Sequence, residues 1–426
     1  MRTTEIIVIG AGQAGLALSR FLTRAGHEHV VLERGRVGER WRSERWDSLS
    51  LLTPNWLNEL PGPMRHADPD GFLSRDGFVG YLEEYAQSFS APVHEGVSVL
   101  EVARTQAGFS VETDSGVWAA RSVVIATGYA DEPRLPAIAA AAPGTVLSIH
   151  SSGYRSPAQL PPGGVLVVGA GPSGQQIAAE LAEAGREVAI AVGRHAPMRR
   201  RYRGRDIWSW LDASGNLDQT LDDVPHERKT SRALSVVLSG ADGGRQLDLG
   251  ALSALGVTVS GRLRGFSGRH AIFADDLERT VERAEQRQRR VFGRIDDYIE
   301  TLPPAERPET EAIPEPALPP ASRVLDLDRV STVIWATGYG RSYPWLNADV
   351  LGDDGEIAHR RGITRVPGLY ALGLRFQHRR KSHFIGGVGG DARFIASRIL
   401  SRSATGALRP EARRHLAVGA YVADVA

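Results

Sequence analysis

Two stretches of the chain, IIVIGAGQAG at residues 6–15 and VLVVGAGPSG at residues 165–174, decide the fold. In each stretch an apolar run leads into the pattern Gly-x-Gly-x-x-Gly and then into a segment with helical character. The first glycine of this pattern allows a tight turn, the second lets the backbone approach a pyrophosphate, and the third lets the helix pack closely on the strand. The pyrophosphate then lies at the helix N-terminus, where free N–H groups favour an anion. We therefore expect two dinucleotide-binding units in one chain.

The two copies align without a gap from residues 10–35 to residues 169–194, and they differ in one informative column. Glu33 ends the second strand of the first copy, where a carboxylate can accept hydrogen bonds from ribose hydroxyls. The second copy has Val192 in this column, and Arg194 follows two residues later. A carboxylate repels a 2′-phosphate, whereas a guanidinium binds one through a bidentate fork. The first site is therefore predicted to bind an adenosine with a free ribose, and the second is predicted to prefer NADP over NAD. Two dinucleotide sites in one chain suggest electron transfer between bound cofactors, and the usual pair is FAD and NAD(P)H.

A second duplication marks the domain organisation. VVIATGYADEPRLP (123–136) recurs as TVIWATGYGRSYPWL (332–346), and each is predicted to be a buried strand that ends in Ala-Thr-Gly. We interpret these segments as crossover points between domains. The FAD-binding domain is then discontinuous, with residues 1–155 and 325–426, and a NADP-binding domain is inserted at residues 160–322.

Three segments of the inserted domain lie outside these patterns, and two of them leave alternatives open. The basic run MRRRYRGR (198–205) is either a further source of phosphate-binding cations or a solvated loop. Apolar residues at helical spacing predict a long amphipathic helix over residues 274–302. The proline-rich residues 303–322 are either a lid over the active site or a surface connector.

Composition excludes several classes of function. The chain has no cysteine, which rules out structural disulfides, thiolate metal sites and a catalytic dithiol. The formal net charge of +1 gives no reason to expect a nucleic-acid partner, and no apolar run is long enough for a membrane span. The histidines show no convincing metal-binding spacing, so no metal is predicted. Because the first strand begins almost at the N-terminus, we expect no signal peptide and a cytoplasmic location.

With these residues in hand, the chain resembles the class B flavin-containing monooxygenases, including their plant YUCCA-like and bacterial branches. The resemblance rests on both glycine fingerprints in order, on GERWR (38–42), on both Ala-Thr-Gly segments and on HRRKSHFIGGVGGDA near the end. It covers most of the chain and is weakest over about residues 200–320. It implies an α/β fold with two Rossmann-like dinucleotide-binding domains, in a three-layer, glutathione-reductase-like arrangement.

The resemblance also implies a reaction. NADPH reduces FAD, the reduced flavin reacts with O2 to give a C4a-hydroperoxide, and a small organic substrate receives one oxygen atom. The accepted substrate is an electron-rich nitrogen, sulfur or carbon centre, or a ketone in a Baeyer–Villiger reaction. The alternatives are an FAD-dependent NAD(P)H reductase or dehydrogenase that does not oxygenate, and a flavin-binding interaction protein without catalysis. The sequence predicts neither the substrate nor the oligomeric state.

Fingerprint positions, strand ends and loop positions that match the family are the predicted sites for FAD and NADPH. These cofactor-binding residues are Gly10, Gly12, Gln13, Gly15, Glu33, Arg34, Trp41, Arg42, Thr127, Gly128, His150, Gly169, Gly171, Pro172, Ser173, Gly174, Arg194, Thr337, Gly338 and Asp391. Asp391 is expected to act as a helix cap or as a ribityl contact at the start of the final helix.

Two departures from the family pattern concern the reacting centre. The signature between the domains retains His150 and Tyr154 but has Val146 in place of its glycine. His150 is therefore either a cofactor contact or a linker histidine that orders the domain junction. Leu52 stands in the column where heteroatom-oxygenating members carry an asparagine. The nearby Asn55 and Asn58 are either substitutes for it or loop amides that satisfy backbone groups, and Asn55 is the candidate catalytic residue. The aromatic residues Trp56, Trp208, Trp210 and Tyr202 either line a substrate pocket or belong to the core.

Overall fold

The computed structural model describes residues 1–224, 233–313 and 318–407. Residues 314–317 of the proline-rich segment and residues 408–426 of the predicted FAD-binding domain therefore lie outside the described residues. Two large sheets organise the described chain, and each contains one of the two glycine fingerprints.

The first sheet is built around the strand that precedes the first fingerprint. It has ten strands in the described part of the chain. Seven of them, in spatial order, are Leu346–Asn347, Val99–Arg104, Phe109–Thr113, Gly116–Ile125, Arg2–Ile9, His29–Leu32 and Val93–His94. The other three branch from Gly116–Ile125, which pairs with Leu369–Ala371, followed outward by Ile363–Thr364 and then His359–Arg360. The central strands are parallel, with Ile9 opposite Leu32 on one side and opposite Ile125 on the other.

The second sheet repeats this arrangement with five parallel strands. In spatial order they are Thr258–Ser260, Val188–Ala191, Gly164–Val168, Val330–Trp335 and Leu147–His150. In both sheets the fingerprint strand lies between the strand that follows its helix and the strand that ends in Ala-Thr-Gly. The predicted α/β fold with two Rossmann-like domains is confirmed.

Smaller strands and the helices surround these sheets. An antiparallel sheet contains Leu263–Ser267, His270–Phe273 and Val324–Asp326, and paired short strands are Ala196–Pro197 with Val236–Val237, Arg201–Tyr202 with Arg205–Asp206, and Glu132–Pro133 with Tyr339–Gly340. The helices are Gln13–Arg24, Glu39–Ser43, Arg75–Gln87, Pro172–Glu183, Ile207–Ala213, Leu249–Ala254, Leu277–Glu300 and Val388–Ala407, with a kinked turn at Ala241–Gly244.

Alternation of apolar side chains along the first fingerprint strand creates three layers. Ile6 and Val8 pack with helices on one face, whereas Ile7 and Ile9 pack against the antiparallel strands on the other. A strand directs successive side chains to opposite faces, so a strand buried on both faces must be apolar throughout. The strand Gly164–Val168 follows the same rule in the second sheet.

Sheet membership corrects the predicted domain edges. The strands Leu147–His150 and Val330–Trp335 were assigned to the first domain by the edges at 155 and 325, but both pair within the second sheet. The chain therefore changes sheets in the loops that follow the two Ala-Thr-Gly segments. These loops run beside each other, with Tyr339 opposite Pro133 in a short antiparallel pair.

The predicted long helix is confirmed as Leu277–Glu300. Its buried residues include Ala284, Phe292, Ile295 and Ile299, which form one face at helical spacing. The described part of the proline-rich segment has only a short turn at Pro304–Glu306 as regular structure.

Candidate functional site

The first fingerprint has the geometry that a pyrophosphate site needs. Gly10 has φ +107°, and a Cβ there would lie 2.7 Å from the carbonyl oxygen of Ala126. A Cβ on Gly15 would overlap the carbonyl oxygen of Gly10, so the helix can approach the strand only at a glycine. In contrast, a Cβ on Gly12 would meet nothing within 4 Å. The space beside Gly12, at the N-terminus of Gln13–Arg24, is therefore open to an anion.

Glu33 is held in place by the turn it faces. Its Oε2 accepts a hydrogen bond from the backbone N–H of Ala11 at 2.8 Å, and its Oε1 accepts one from the N–H of Gly35 at 3.0 Å. Each carboxylate oxygen has a second lone pair, so the anchored group can still accept hydrogen bonds from a ribose. The neighbouring Arg34 instead points to an exposed ion pair with Glu44, at 3.2 Å.

The second fingerprint reproduces these distances with different residues. Gly169 has φ +111°, and a Cβ there would lie 2.5 Å from the carbonyl oxygen of Ala336, which is the alanine of the second Ala-Thr-Gly segment. Gly174 packs on Gly169 as Gly15 packs on Gly10, and Gly171 again faces open space. Pro172 and Ser173 begin the following helix, where proline is well tolerated because its missing N–H has no helical partner. Both turns can hold a pyrophosphate.

The two sites differ at the end of the strand that follows each fingerprint helix. Val192 is fully buried, while Arg194 is exposed and has no ion pair with any carboxylate in the described residues. His195 next to it is buried, and its Nδ1 lies 3.0 Å from the carbonyl oxygen of Gly193. Arg194 is therefore an exposed guanidinium at the end of this strand, next to a buried and anchored His195.

The GERWR segment contributes packing as well as charge. Trp41 packs edge-on against Phe78 with ring centroids 4.9 Å apart. Arg42 forms an ion pair with Glu83 and so lies against the helix Arg75–Gln87. Arg40, which the sequence analysis did not select, forms a 2.7 Å ion pair with Asp131 in the loop after the first Ala-Thr-Gly segment.

His150 joins the two crossover loops. Its Nδ1 accepts a hydrogen bond from the N–H of Ser152 at 3.1 Å, so its Nε2–H donates to the carbonyl oxygen of Gly338 at 3.0 Å. Burial lowers the pKa of His150, in agreement with a neutral ring. Both ring nitrogens are therefore occupied by the chain itself, which supports the linker alternative for this histidine.

The second loop is also tied to the first one. Thr337 donates a hydrogen bond from its hydroxyl to the carbonyl oxygen of Arg134 at 2.5 Å. Thr127 and Gly128 occupy the matching position in the first loop, where Gly128 has φ +83° and open space around it. The structure thus brings the two Ala-Thr-Gly loops together at the junction of the sheets.

Asn55 has a structural environment, and the catalytic prediction for it is not supported. Its side-chain N–H donates to the carbonyl oxygen of Asp68 at 2.8 Å, and its Oδ1 accepts from the N–H of Leu73 at 2.9 Å. The nearby Asn58 is fully buried and bonds with Thr53 through both ends of its amide. Both amides close a loop on itself, because a buried backbone group needs a partner.

The basic run at 198–205 contains one arginine, Arg200, whose role matches neither of the two alternatives predicted for the run. Arg200 is buried at 2% exposure and forms a 3.2 Å ion pair with Asp206. Its Nη2 donates to the carbonyl oxygens of Leu52, at 2.8 Å, and of Ser239, at 2.7 Å. This guanidinium therefore holds Leu52, and with it the segment of residues 47–75, against the inserted domain. Only a contact across 148 residues reveals that role, so no local pattern could have predicted it.

The glycine-rich segment before the final helix contains two buried titratable groups. Burial raises the pKa of Asp391 to about 6, and a hydrogen bond with Ser382 partly offsets this effect. Burial lowers the pKa of His383 to about 3, so this ring is uncharged. The Nδ1 atom of His383 is buried and has no hydrogen-bond partner within the described chain.

An aromatic wall extends from the first crossover loop into the inserted domain. Tyr129 contacts His383 at 5.2 Å between ring centroids, His383 contacts Phe384 at 4.9 Å, and Phe384 contacts Trp208 at 5.3 Å. The sequence analysis selected only Trp208 of these four residues. Trp210 and Tyr202 are fully buried and pack in the core with Phe292, so they do not line a pocket. Trp56 is partly buried beside this core.

No group of three or more histidine, aspartate or glutamate side chains is arranged to hold a metal ion in the described part of the chain. None of the helices described here is both long enough and apolar enough to cross a membrane.

Comparison with known proteins places this geometry in a family. Residues 7–208 match the family described as pyridine nucleotide-disulphide oxidoreductase. A CzcO-like oxidoreductase of Geobacillus kaustophilus is 34% identical over 402 residues, covering 93% of this chain and 98% of that protein. Indole-3-pyruvate monooxygenase YUCCA1 of rice (Oryza sativa subsp. japonica) is 34% identical over 190 residues, which are 44% of this chain and 47% of that protein.

The fold is shared with a solved structure over nearly its whole length. A flavin-containing monooxygenase from Stenotrophomonas maltophilia aligns with 95% of this chain and 100% of that chain, at a TM-score of 0.65 and 21% identity. The chain belongs to the family of the CzcO-like oxidoreductases. The partial match to YUCCA1 supports the resemblance to class B flavin monooxygenases that was inferred from both fingerprints and both Ala-Thr-Gly segments.

The chain is an oxidoreductase, and the family matches support dependence on FAD and on a nicotinamide cofactor. The two glycine turns are the features of this chain that fit two dinucleotides, since each has one open glycine at a helix N-terminus.

Proposed function

We propose that the chain is a flavin monooxygenase that uses NADPH specifically, with FAD in the first fingerprint site and NADPH in the second. The observation that carries the proposal is the contrast between Glu33 and Arg194 on two otherwise matching turns. Glu33 is anchored by two backbone N–H groups, whereas Arg194 is an exposed guanidinium next to the buried Val192. A carboxylate suits a free ribose and a guanidinium suits a phosphate.

The residues of the first site bind and orient the flavin nucleotide. Backbone N–H groups beside Gly12 meet the pyrophosphate, and Glu33 accepts hydrogen bonds from the ribose. The segment from Ser382 to Asp391 lies at the start of the helix Val388–Ala407, whose N-terminal dipole favours negative charge on a bound ring. When bound, the flavin supplies the redox chemistry that protein side chains lack, taking electrons from the nicotinamide and passing them to O2.

The junction between the sheets excludes water from the region where the two cofactors meet. His150 and Thr337 fix the second crossover loop against the first one, and Arg200 fixes the 47–75 segment against the inserted domain. The aromatic wall is apolar and its His383 is uncharged. A closed, preorganised site of this kind favours oxygen transfer to a bound substrate over loss of the oxygen as H2O2.

Isotope labelling tests the proposal directly. FAD-loaded protein is supplied with NADPH, 18O2 and a panel of amines, sulfides, ketones and 2-oxo acids, and product and H2O2 are measured together. We expect one 18O atom in the product of an accepted substrate, and faster turnover with NADPH than with NADH. Stoichiometric H2O2 with every compound would favour the reductase alternative. Equal turnover with both nucleotides would overturn the NADPH assignment.

A further inference from the structure

The long helix Leu277–Glu300 passes beside the end of the second nucleotide-binding strand. On this helix Arg287 donates a hydrogen bond from Nη2 to the carbonyl oxygen of His195, at 3.0 Å. His195 follows Arg194 directly, so the guanidinium of Arg287 is fixed next to the residue that distinguishes the two nucleotide sites. Neither the fingerprint nor the Ala-Thr-Gly pattern includes this helix.

The helix carries a row of like charges towards this point. Arg283, Arg287 and Arg290 are spaced four and three residues apart, so they lie on one face within successive turns. The pKa of Arg287 is lowered by partial burial first, and then by the positive charges of Arg194, Arg290 and Arg283. Four guanidinium groups thus share one region of the surface.

Carboxylates that lie nearby are already committed to other groups. Asp276 accepts from the backbone N–H of Arg262 at 3.1 Å and pairs with its side chain at 2.9 Å. Within the described residues, neither Arg194 nor any of the three arginines of the row forms an ion pair with a carboxylate. On another face the same helix does pair its charges, since Arg289 lies 3.4 Å from Glu285 at the favourable spacing of four residues.

Like charges at this spacing destabilise a helix unless an anion lies between them. We propose that Arg287 is a specificity-determining residue that binds the 2′-phosphate of NADPH together with Arg194. This inference rests on the proposed function, because it places a second guanidinium at the same nucleotide site. Two guanidinium groups that approach from a loop and from a helix can hold one phosphate from two sides, each through charge-assisted hydrogen bonds.

Binding of 2′,5′-ADP, NADP+ and NAD+ to the FAD-loaded enzyme, measured by titration calorimetry, tests the inference without relying on turnover. In Arg287→Ala we expect the dissociation constants of 2′,5′-ADP and NADP+ to rise about tenfold, with that of NAD+ unchanged. Arg287→Lys should recover part of the loss. Arg289→Ala is the matched control, since it removes an arginine from another face of the same helix, and it should bind all three ligands as wild type does.

The outcomes separate this inference from the proposed function. If wild type prefers NADP+ and Arg194→Ala abolishes that preference while Arg287→Ala does not change it, the NADPH assignment stands and the role of Arg287 is wrong. If Arg287→Ala weakens NAD+ as much as NADP+, the residue supports the fold and does not read the phosphate. If wild type binds NAD+ and NADP+ equally, and 2′,5′-ADP not at all, both the inference and the NADPH assignment are overturned.

Discussion

The carboxylate of Glu33 accepts a hydrogen bond from the backbone N–H of Ala11, with 2.8 Å between oxygen and nitrogen. The bond fixes the end of the second strand to the glycine turn and directs the carboxylate at the place where a ribose would lie. Val192 occupies the matching position in the second unit, and its aliphatic side chain can accept no hydrogen bond. The duplicated turn thus differs in the one column on which the proposed FAD and NADPH sites depend.

The open glycines predict a clean separation of the two cofactors. A Cβ at Gly12 would meet no protein atom within 4 Å, so we expect Gly12→Val to fold and to lose FAD by blocking its pyrophosphate. Gly171→Val should keep FAD and fail to be reduced by NADPH, since its open space lies in the other turn. Flavin absorbance of the purified variants and anaerobic bleaching by NADPH measure both effects. A fully flavin-loaded Gly12→Val protein would show that the pyrophosphate lies elsewhere.

Arg194→Ala is expected to act on NADPH alone. Loss of a charge-assisted hydrogen bond to a phosphate costs about 1.5–3 kcal/mol, which corresponds to a KM for NADPH roughly 10- to 100-fold higher. The KM for NADH should remain as in wild type, because NADH has no 2′-phosphate. Steady-state kinetics with both nucleotides provide the check. Equal effects on both would assign Arg194 to the stability of the loop.

Asn55→Ala should cost stability and leave the chemistry intact. The substitution leaves the carbonyl oxygen of Asp68 and the N–H of Leu73 without their partner, at about 1–3 kcal/mol for each group that stays buried. The midpoint of urea unfolding should fall, while the rate of oxygenation per flavin-loaded molecule should stay within about twofold of wild type. A selective loss of oxygenation in a stable Asn55→Ala protein would restore the catalytic hypothesis for this residue.

The buried carboxyl of Asp391 predicts a pH dependence of stability. Its pKa is raised to about 6, so the folded protein favours the neutral form. The contribution of this group is therefore fully present below its unfolded pKa of about 4 and is lost as pH rises through 6. Flavin-free Asp391→Asn should be more stable than wild type at pH 7–8, by at most about 3 kcal/mol, and no more stable near pH 4.

Urea unfolding of both flavin-free proteins across this pH range measures the difference. A difference that stays constant with pH would mean that the pKa of Asp391 is the same in the folded and unfolded protein. If Asp391 also contacts the ribityl chain, the same variant should retain less FAD at neutral pH.

The repeated elements of the fold were predictable because each is decided by local sequence. An apolar run followed by the pattern Gly-x-Gly-x-x-Gly predicts a strand, a tight turn and a helix. The helix Leu277–Glu300 followed likewise from its apolar spacing. The alignment of the two copies then isolated Glu33 and Arg194 without any structure, since the same turn was compared with itself.

The junction was not predictable, because its contacts join residues far apart in the chain. His150 meets Gly338 across 188 residues, and Arg200 meets Leu52 across 148. The same is true of Asn55, which looked like a candidate near the flavin until its partners at Asp68 and Leu73 were known. The edges predicted at 155 and 325 leave the strands Leu147–His150 and Val330–Trp335 outside the inserted domain, although both pair within its sheet. The reason is related, because sheet membership depends on contacts between distant parts of the chain.

The central claim, that NADPH reduces a flavin which then oxygenates a substrate, is tested most directly by anaerobic stopped-flow spectroscopy. FAD-loaded protein is reduced with NADPH and then mixed with oxygenated buffer, with and without the compounds of the substrate panel. We predict a distinct absorbing species that persists before oxidised flavin returns, and that decays faster with an accepted substrate. Direct return to oxidised flavin with stoichiometric H2O2, in the presence of every compound, would contradict the claim.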